Sequence, residues 1–393
     1  MIRNESSILD FGSGKITVLV GERGVNGSIS LLGTGESTYG GFTDGEWLEP
    51  EKLSEVVAYA LNNAETNSRS KINSLFIGVP GEFTVAVTEE ANLNFAKKRR
   101  VLPDDIRELF DIGREKYENK PDYEVINQGA IWFQTDDKRR TASPEDLLTT
   151  RLTARLSYIL CERRFTDFVR KIMADAGVTD IEFVSAPLAE ALYLFPPETR
   201  DQSAVLLDVG FITSTLTFSQ GDGVVNMKSF SVGGGHITGD LSLVLGISFA
   251  DAESLKRKVI LSLEVTEDDK YEIIVNGEPK TFPAKEVNEI VDARVQYIAG
   301  IVGKCLAAED NNGFPRYAPV HLTGGGLAYL KGGKELLAKG INRGVELLSP
   351  KQAMLNRPYM SAPLSVLEMA INEAVIPQKE SLLSRIIRKM KRQ

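Results

Sequence analysis

Over the first eighty positions the apolar residues fall into short runs broken by glycine turns, and then take up a helical period. Residues 7–20 (SILDFGSGKITVLV) read as two apolar strand halves folded about Gly12-Ser13-Gly14, and 28–34 as a third strand. Helical periodicity at 49–66 and a buried strand at 72–79, bounded by Pro80-Gly81, complete an α/β unit. The middle of the chain differs. A helix starting at Pro103, with Asp104 and Asp105 in its first turn, is expected to run to about Lys120. Strand-like runs at 123–134 and 149–160 flank a polar loop, and 165–176 is an amphipathic helix. Helix, strand, strand, helix reads as a compact insert with borders near residues 84 and 163. From residue 180 the first pattern returns, with a strand at 181–185, a helix at 188–194 and a strand-turn-strand over 204–218 (AVLLDVGFITSTLTF). A small hairpin about Asn276-Gly277, a helix over 284–307 and a short strand at 320–322 follow. The expected class is α/β, with duplicated α/β domains flanking a cleft.

The repeat concentrates the candidate chemistry. Leu9-Asp10-Phe11-Gly12-Ser13 and Leu207-Asp208-Val209-Gly210-Phe211 are each an apolar strand, an Asp, a Gly and a turn. Glycine lets backbone N–H groups converge on an anion, and an Asp before such a turn suits Mg²⁺ held through its water shell. Either segment alone is an ordinary β-turn. Two of them facing across a cleft would grip a triphosphate from both sides, Gly12, Ser13 and Gly14 from one, Gly210 and Thr213 from the other. Lys15 could reach a phosphate oxygen, an exposed strand lysine being the plain alternative. Gly233-Gly234-Gly235, followed by Thr238 and Asp240, opens a helix whose N-terminus would face phosphate. Glu253 and Lys256, one turn apart, could hold a ribose and base edge or form a solvated pair. Gly324, Gly325 and Gly326 after Thr323 would let adenosine lie against the backbone, or simply begin a helix.

Charge adds a second feature. Taken as a helix, residues 381–393 (SLLSRIIRKMKRQ) put Leu382, Leu383, Ile386, Ile387 and Met390 within an arc of roughly 140°. Arg385, Arg388, Lys389, Lys391 and Arg392 take the opposite arc. The whole chain carries −8, so these five cations leave −13 on the rest. A basic amphipathic helix on an acidic body reads as a reversible grip on an anionic surface, joined by a polar linker at 376–380. A frayed terminus or a helix docked on a partner protein is the alternative. The acidic body argues against nucleic acid as a partner. Cys161 and Cys305 have no paired spacing and suit a reducing cytosol, and two histidines supply neither a metal cluster nor a Ser-His-Asp triad well. No signal peptide is expected in residues 1–15, and no run of about 18 apolar residues spans a bilayer.

The two D-x-G hairpins, the G-G-G-x-x-T-x-D segment, D-A-E-x-L-K and L-T-G-G-G together resemble the superfamily of actin, the heat-shock chaperones and the sugar kinases. Within it the chain is most similar to the bacterial FtsA family. Residues 232–256 look like its nucleotide segment, the insert like its subdomain 1C, and the terminal helix like its membrane-targeting sequence. The resemblance implies an actin-like two-lobed ATPase fold. Lobe 1 (1A) would take residues 1–83, 163–195 and about 340–375, and 1C residues 84–162. Subdomain 2A would take 196–239 and 308–339, and 2B residues 240–307. It further implies ATP with Mg²⁺ in the cleft, head-to-tail polymerisation, and a cytoplasmic protein peripheral to the membrane at the division site. FtsZ would bind through its C-terminal peptide on 2B, and other division proteins through 1C. Two departures matter. Phe211 and Ile212 stand where the family has glycines, which restricts wrapping of the terminal phosphate. Ala186 stands where the chaperones carry a water-positioning Glu; Glu190 is the nearest acid, one turn further on, with a plain surface position as its alternative. Nucleotide binding with slow or absent hydrolysis follows. The alternatives are a pilus-assembly adaptor of the PilM type and a small-molecule kinase of the same superfold.

Overall fold

Each D-x-G segment forms a hairpin, and each hairpin founds a five-stranded sheet. The computed structural model describes residues 5–24, 27–118, 120–352 and 355–375. In it, strand Glu5–Phe11 pairs antiparallel with Lys15–Arg23, which pairs with Ile29–Thr38. On its other edge Glu5–Phe11 runs parallel to Ser74–Val79, and that strand to Asp180–Ser185. The second sheet repeats this order. Ala204–Val209 has antiparallel Ser214–Gln220 and Gly223–Phe230 on one side, and parallel Val320–Thr323 and Val345–Leu347 on the other.

Parallel neighbours need crossovers, and the crossover helices cover both faces of the sheets. Adjacent Ile8 and Leu9 are therefore both fully buried. Helices Leu53–Ser68 and Arg163–Asp175 pack on one face of the first sheet, Ala186–Leu194 and Ser361–Val375 on the other. Helices Gly234–Leu245, Ala284–Asn311 and Gly333–Ile341 share a core with the second.

The insert departs from expectation. Its sheet runs Thr84–Arg100, Leu148–Glu162, Tyr123–Gln134, Arg140–Thr141. The first of these, 17 residues long, is absent from the elements the sequence predicts. Most of it is exposed or half-exposed; Val87, Ala91, Leu93 and Phe95 keep the period of a strand and pack on the insert's core, but Glu89 interrupts the alternation and a run of Lys and Arg at 97–100 ends it. The helix from Pro103 ends at Arg114 rather than near Lys120. Helix Arg163–Asp175 is not part of the insert's core, because Phe165, Val169, Ile172 and Met173 join that of the first lobe. The insert is seated on the second lobe by reciprocal bonds: Ser157 Oγ donates to Val224 O (2.7 Å) and accepts from Val224 N (3.1 Å).

Among the described residues no helix is long and apolar enough to cross a membrane. The linker and the basic amphipathic segment, 376–393, lie outside the described residues.

Helix Ser361–Val375 carries a titratable contact. Burial and the neighbouring Glu182 carboxyl push Glu373 up to about 7. The folded chain thus keeps a proton that the unfolded chain gives up at about pH 4. Stability from this source is full below that pH and is lost as pH rises through 7. Replacing Glu373 with Gln should therefore give a Tm advantage that grows between pH 5 and pH 8. Solvent at the exposed Glu182 limits the gain to about 1 kcal/mol, or about 2 °C. Melts at the two pH values check it; an advantage that does not change with pH would mean the two carboxyls are uncoupled.

Candidate functional site

Four glycine-bearing segments, far apart in sequence, meet where the lobes face each other. Asp10 and Asp208 hold equivalent positions in their sheets. Each sits opposite a hairpin threonine, Thr17 or Thr215, and beside a residue of the parallel neighbour, Gly78 or Thr323. Ser13 Oγ in the first turn accepts hydrogen bonds from the amides of Ile212 (3.0 Å) and Thr213 (3.3 Å) in the second. The N-terminus of helix Gly234–Leu245 joins them, with Gly234 N and Gly235 N donating to the carbonyls of Gly210 (2.9 Å) and Phe211 (2.7 Å). Gly326 N donates to Val209 O at 2.7 Å, and a methyl group on Gly234 would lie 2.4 Å from Gly326 Cα. Gly324, at φ +86°, admits no side chain, since a methyl there would lie 2.0 Å from Asp208 Oδ1. The structure thus gathers Gly12, Ser13, Gly14, Gly210, Thr213, Gly234, Gly235, Gly324 and Gly326 in one place. Gly325 sits beside them against Tyr359.

Three buried carboxyls interact in this cleft. Burial, then the charge of Asp208, push Asp10 up to about 7, against the opposing pull of Lys15. Burial pushes Asp208 up to about 6. The third is Glu190, and its surface alternative fails: it is only 2% exposed. Helix Ala186–Leu194 is wedged between the lobes, with Ala186 and Ala189 in the first core and Ala191 and Leu194 in a core cluster with Leu206 of the second sheet. Burial, then Asp208 and Asp10, hold the Glu190 pKa well above the usual carboxylate range. Glu190 Oε1 and Asp208 Oδ1 have no hydrogen-bond partner among the described residues. The sequence did hold a signal. Glu190 is the one charged residue in APLAEALYL, and a helix apolar all round is a buried helix.

Other candidates are engaged within the protein. Lys15 Nζ pairs with Glu36 at 2.8 Å and lies 4.9 Å from the Tyr359 ring centroid. Asp240 accepts two hydrogen bonds from Arg294, at 2.6 and 2.7 Å, on helix Ala284–Asn311. Glu253, Lys256 and Thr238 form one network. Thr238 Oγ1 donates to Glu253 Oε2 (2.6 Å), and Lys256 Nζ reaches Glu253 (2.6 Å), Thr238 Oγ1 (2.8 Å) and Gly234 O (3.1 Å). Burial pulls the Lys256 pKa down while Glu253 holds it up. Sequence reasoning missed Tyr39, a half-buried residue whose hydroxyl donates to Gly12 O at 2.8 Å and helps fix the first turn.

Comparison with known proteins places this architecture. The model of the family described as cell division protein FtsA matches residues 205–365. The chain is 23% identical over 372 residues to the cell division protein FtsA of Staphylococcus epidermidis, covering 92% of this chain and 78% of that protein. Among solved structures it is similar to the PilM-PilN type IV pilus biogenesis complex. The TM-score is 0.61 at 14% identity, over 93% of this chain and 98% of the other. An MreB of Spiroplasma citri bound to AMPPNP gives 0.52 at 12% identity, over 99% of both chains. Identities this low speak to fold alone, and that fold is actin-like; the sequence likeness is to FtsA. Family match, a relative aligned over most of the chain and actin-like architecture agree, and by all three this chain is similar to the actin-like cell-division proteins of the FtsA type.

Proposed function

We propose that this protein tethers the division ring to the inner face of the cell membrane. It would polymerise head to tail under nucleotide control, hold the C-terminal peptide of FtsZ, and grip anionic lipid through residues 381–393. The observation that carries the reading is the pairing of an acidic body with a terminal segment that parts five apolar from five basic side chains. Burying so few apolar groups gives weak, reversible attraction, to which each cation adds ~1 kcal/mol near anionic lipid. Linked copies raise that avidity by orders of magnitude, so a polymer-forming body and a weak anchor suit each other.

ATP with Mg²⁺ fits the cleft on the donor set present. Unpartnered oxygens on Asp208 and Glu190, beside Asp10, form a buried acidic pocket that a divalent cation would neutralise. Among the described residues no three acids stand near enough together to hold an ion directly. Asp10 and Asp208 would therefore act through the ion's water shell. When bound, the cation would supply charge for the phosphates. Glu190 would face that charge from the helix wedged between the lobes, and we expect hydrolysis to be slow. In the proposed FtsZ-binding region, a groove of about 400 Å³ lies between helices Ala284–Asn311 and Gly333–Ile341. Leu261, Val265 and Leu336 line it together with Lys285, Asn288, Glu289, Asp292, Glu335 and Lys339, a mixed apolar and charged lining shared between 2B and 2A that could take an extended peptide. The insert, residues 84–162, is left for other division proteins.

Sedimentation with FtsZ and phosphatidylglycerol vesicles tests the reading. FtsZ should pellet with vesicles only when this protein is present. Vesicle binding without FtsZ recruitment would favour a pilus adaptor of the PilM type instead, and neither would overturn the tether.

A further inference from the structure

The ring of Phe211 occupies the ground between the two phosphate turns. A methyl group built on Gly14 would lie 2.5 Å from Phe211 Cδ1, and one on Gly235 would lie 2.9 Å from Phe211 Cε2. The ring therefore reaches from the first turn to the N-terminus of helix Gly234–Leu245, the span a chain of phosphates would need. The amides that would meet those phosphates are bonded within the protein. Ile212 N and Thr213 N donate to Ser13 Oγ, Gly234 N and Gly235 N to carbonyls of the second turn, and Gly210 N to Thr213 O. Phe211 itself is 42% exposed and, among the described residues, belongs to no core cluster; its ring neighbour there is Phe249, edge-on at 6.0 Å and 46% exposed. Moving the ring leaves no sealed cavity behind.

We propose that Phe211 gates the phosphate site, and that a nucleoside triphosphate enters by expelling the ring toward Phe249 and drawing the turn amides onto its own oxygens. This rests on the reading of the cleft as a nucleotide site. The exchange is favourable at the amides, because hydrogen bonds to a charged oxygen are stronger than those to a carbonyl or hydroxyl. It is opposed by the ring, which must give up its contacts with Gly14 and Gly235. Phe211 thus sets how much affinity the site shows, and couples nucleotide entry to release of the Ser13 stitch between the lobes.

Phe211→Ala in the full-length protein is expected to tighten binding of a fluorescent ATP analogue with magnesium at least tenfold. Phe211→Trp gives an independent readout, with its emission shifting to the red at saturating ATP as the indole is expelled into water. Equal affinity in parent and Phe211→Ala, or an indole whose emission does not move on binding, overturns the gate and leaves the nucleotide site standing. No binding by parent or Phe211→Ala at millimolar ATP, with melting curves showing both folded, overturns the nucleotide site and the gate with it.

Discussion

Ile387→Glu is expected to release the protein from phosphatidylglycerol vesicles while leaving its melting curve unchanged. If residues 381–393 form the amphipathic helix their pattern predicts, Ile387 falls in its apolar arc, between Ile386 and the cations Arg388 and Lys389 in sequence. The substitution removes about 2 kcal/mol of burial and puts a carboxylate against anionic lipid, a combined loss of about 3 kcal/mol per subunit. That is roughly a hundredfold in one copy's affinity. In a polymer the per-copy losses multiply, so pelleting with vesicles should fall to background. Truncation after Glu380 should do the same, and Leu382→Ala should do less, because it trims apolar area without adding charge. Raising salt should weaken the parent's binding, since part of it is Coulombic. The body should be indifferent, because among the described residues the core contacts of its final helix come from Leu367, Ala370 and Ile371, well before the segment. Unchanged co-sedimentation of Ile387→Glu would refute the anchor.

The two hairpins were legible because their signal is local. Apolar runs around Asp-x-Gly need no knowledge of the partner strand, and Asn276-Gly277 announces its turn in the same way. Local signals fail where a strand is held by its neighbours. Thr84–Arg100 pairs with Leu148–Glu162 along nearly its whole length, yet its apolar alternation is interrupted at Glu89 and gives way to the charged run at 97–100, so the sequence marks it weakly. The cleft divides along the same line. Asp10 and Asp208 are marked by the turns that follow them. Glu190 acquires its role only because its helix is buried between two lobes. Phe211 is visible in sequence as a bulky residue in place of glycine, but its meeting with Gly14 and Gly235 joins positions from three separate segments. Asp240, read from the Gly-rich opening of its helix as a phosphate-side acid, is paired in the structure with Arg294, a partner no local signal announces.

Asp208→Asn should separate the stability of the empty protein from its response to nucleotide. Asp208 Oδ1 is buried with no partner among the described residues, and its charge helps push both Asp10 and Glu190 upward. A neutral amide of nearly the same shape removes an uncompensated buried charge and eases the other two carboxyls. The empty protein should gain about 1–2 kcal/mol, or about 2–4 °C in Tm. The same change deletes one of the two acids assigned to the Mg²⁺ water shell. The parent should be raised by about 3 kcal/mol, or about 6 °C, at a hundredfold excess of Mg²⁺-ATP over Kd; the variant should show little of that shift. Asp240→Asn is the control. Its carboxylate is part-exposed and paired with Arg294, so losing it should cost a little stability and leave the nucleotide shift in place. Melting curves of all three proteins, with and without Mg²⁺-ATP, decide the matter. If Asp208→Asn keeps the full shift, the cation does not sit at this aspartate, and the raised pKa values of the three carboxyls would be a cost of packing two lobes against one helix.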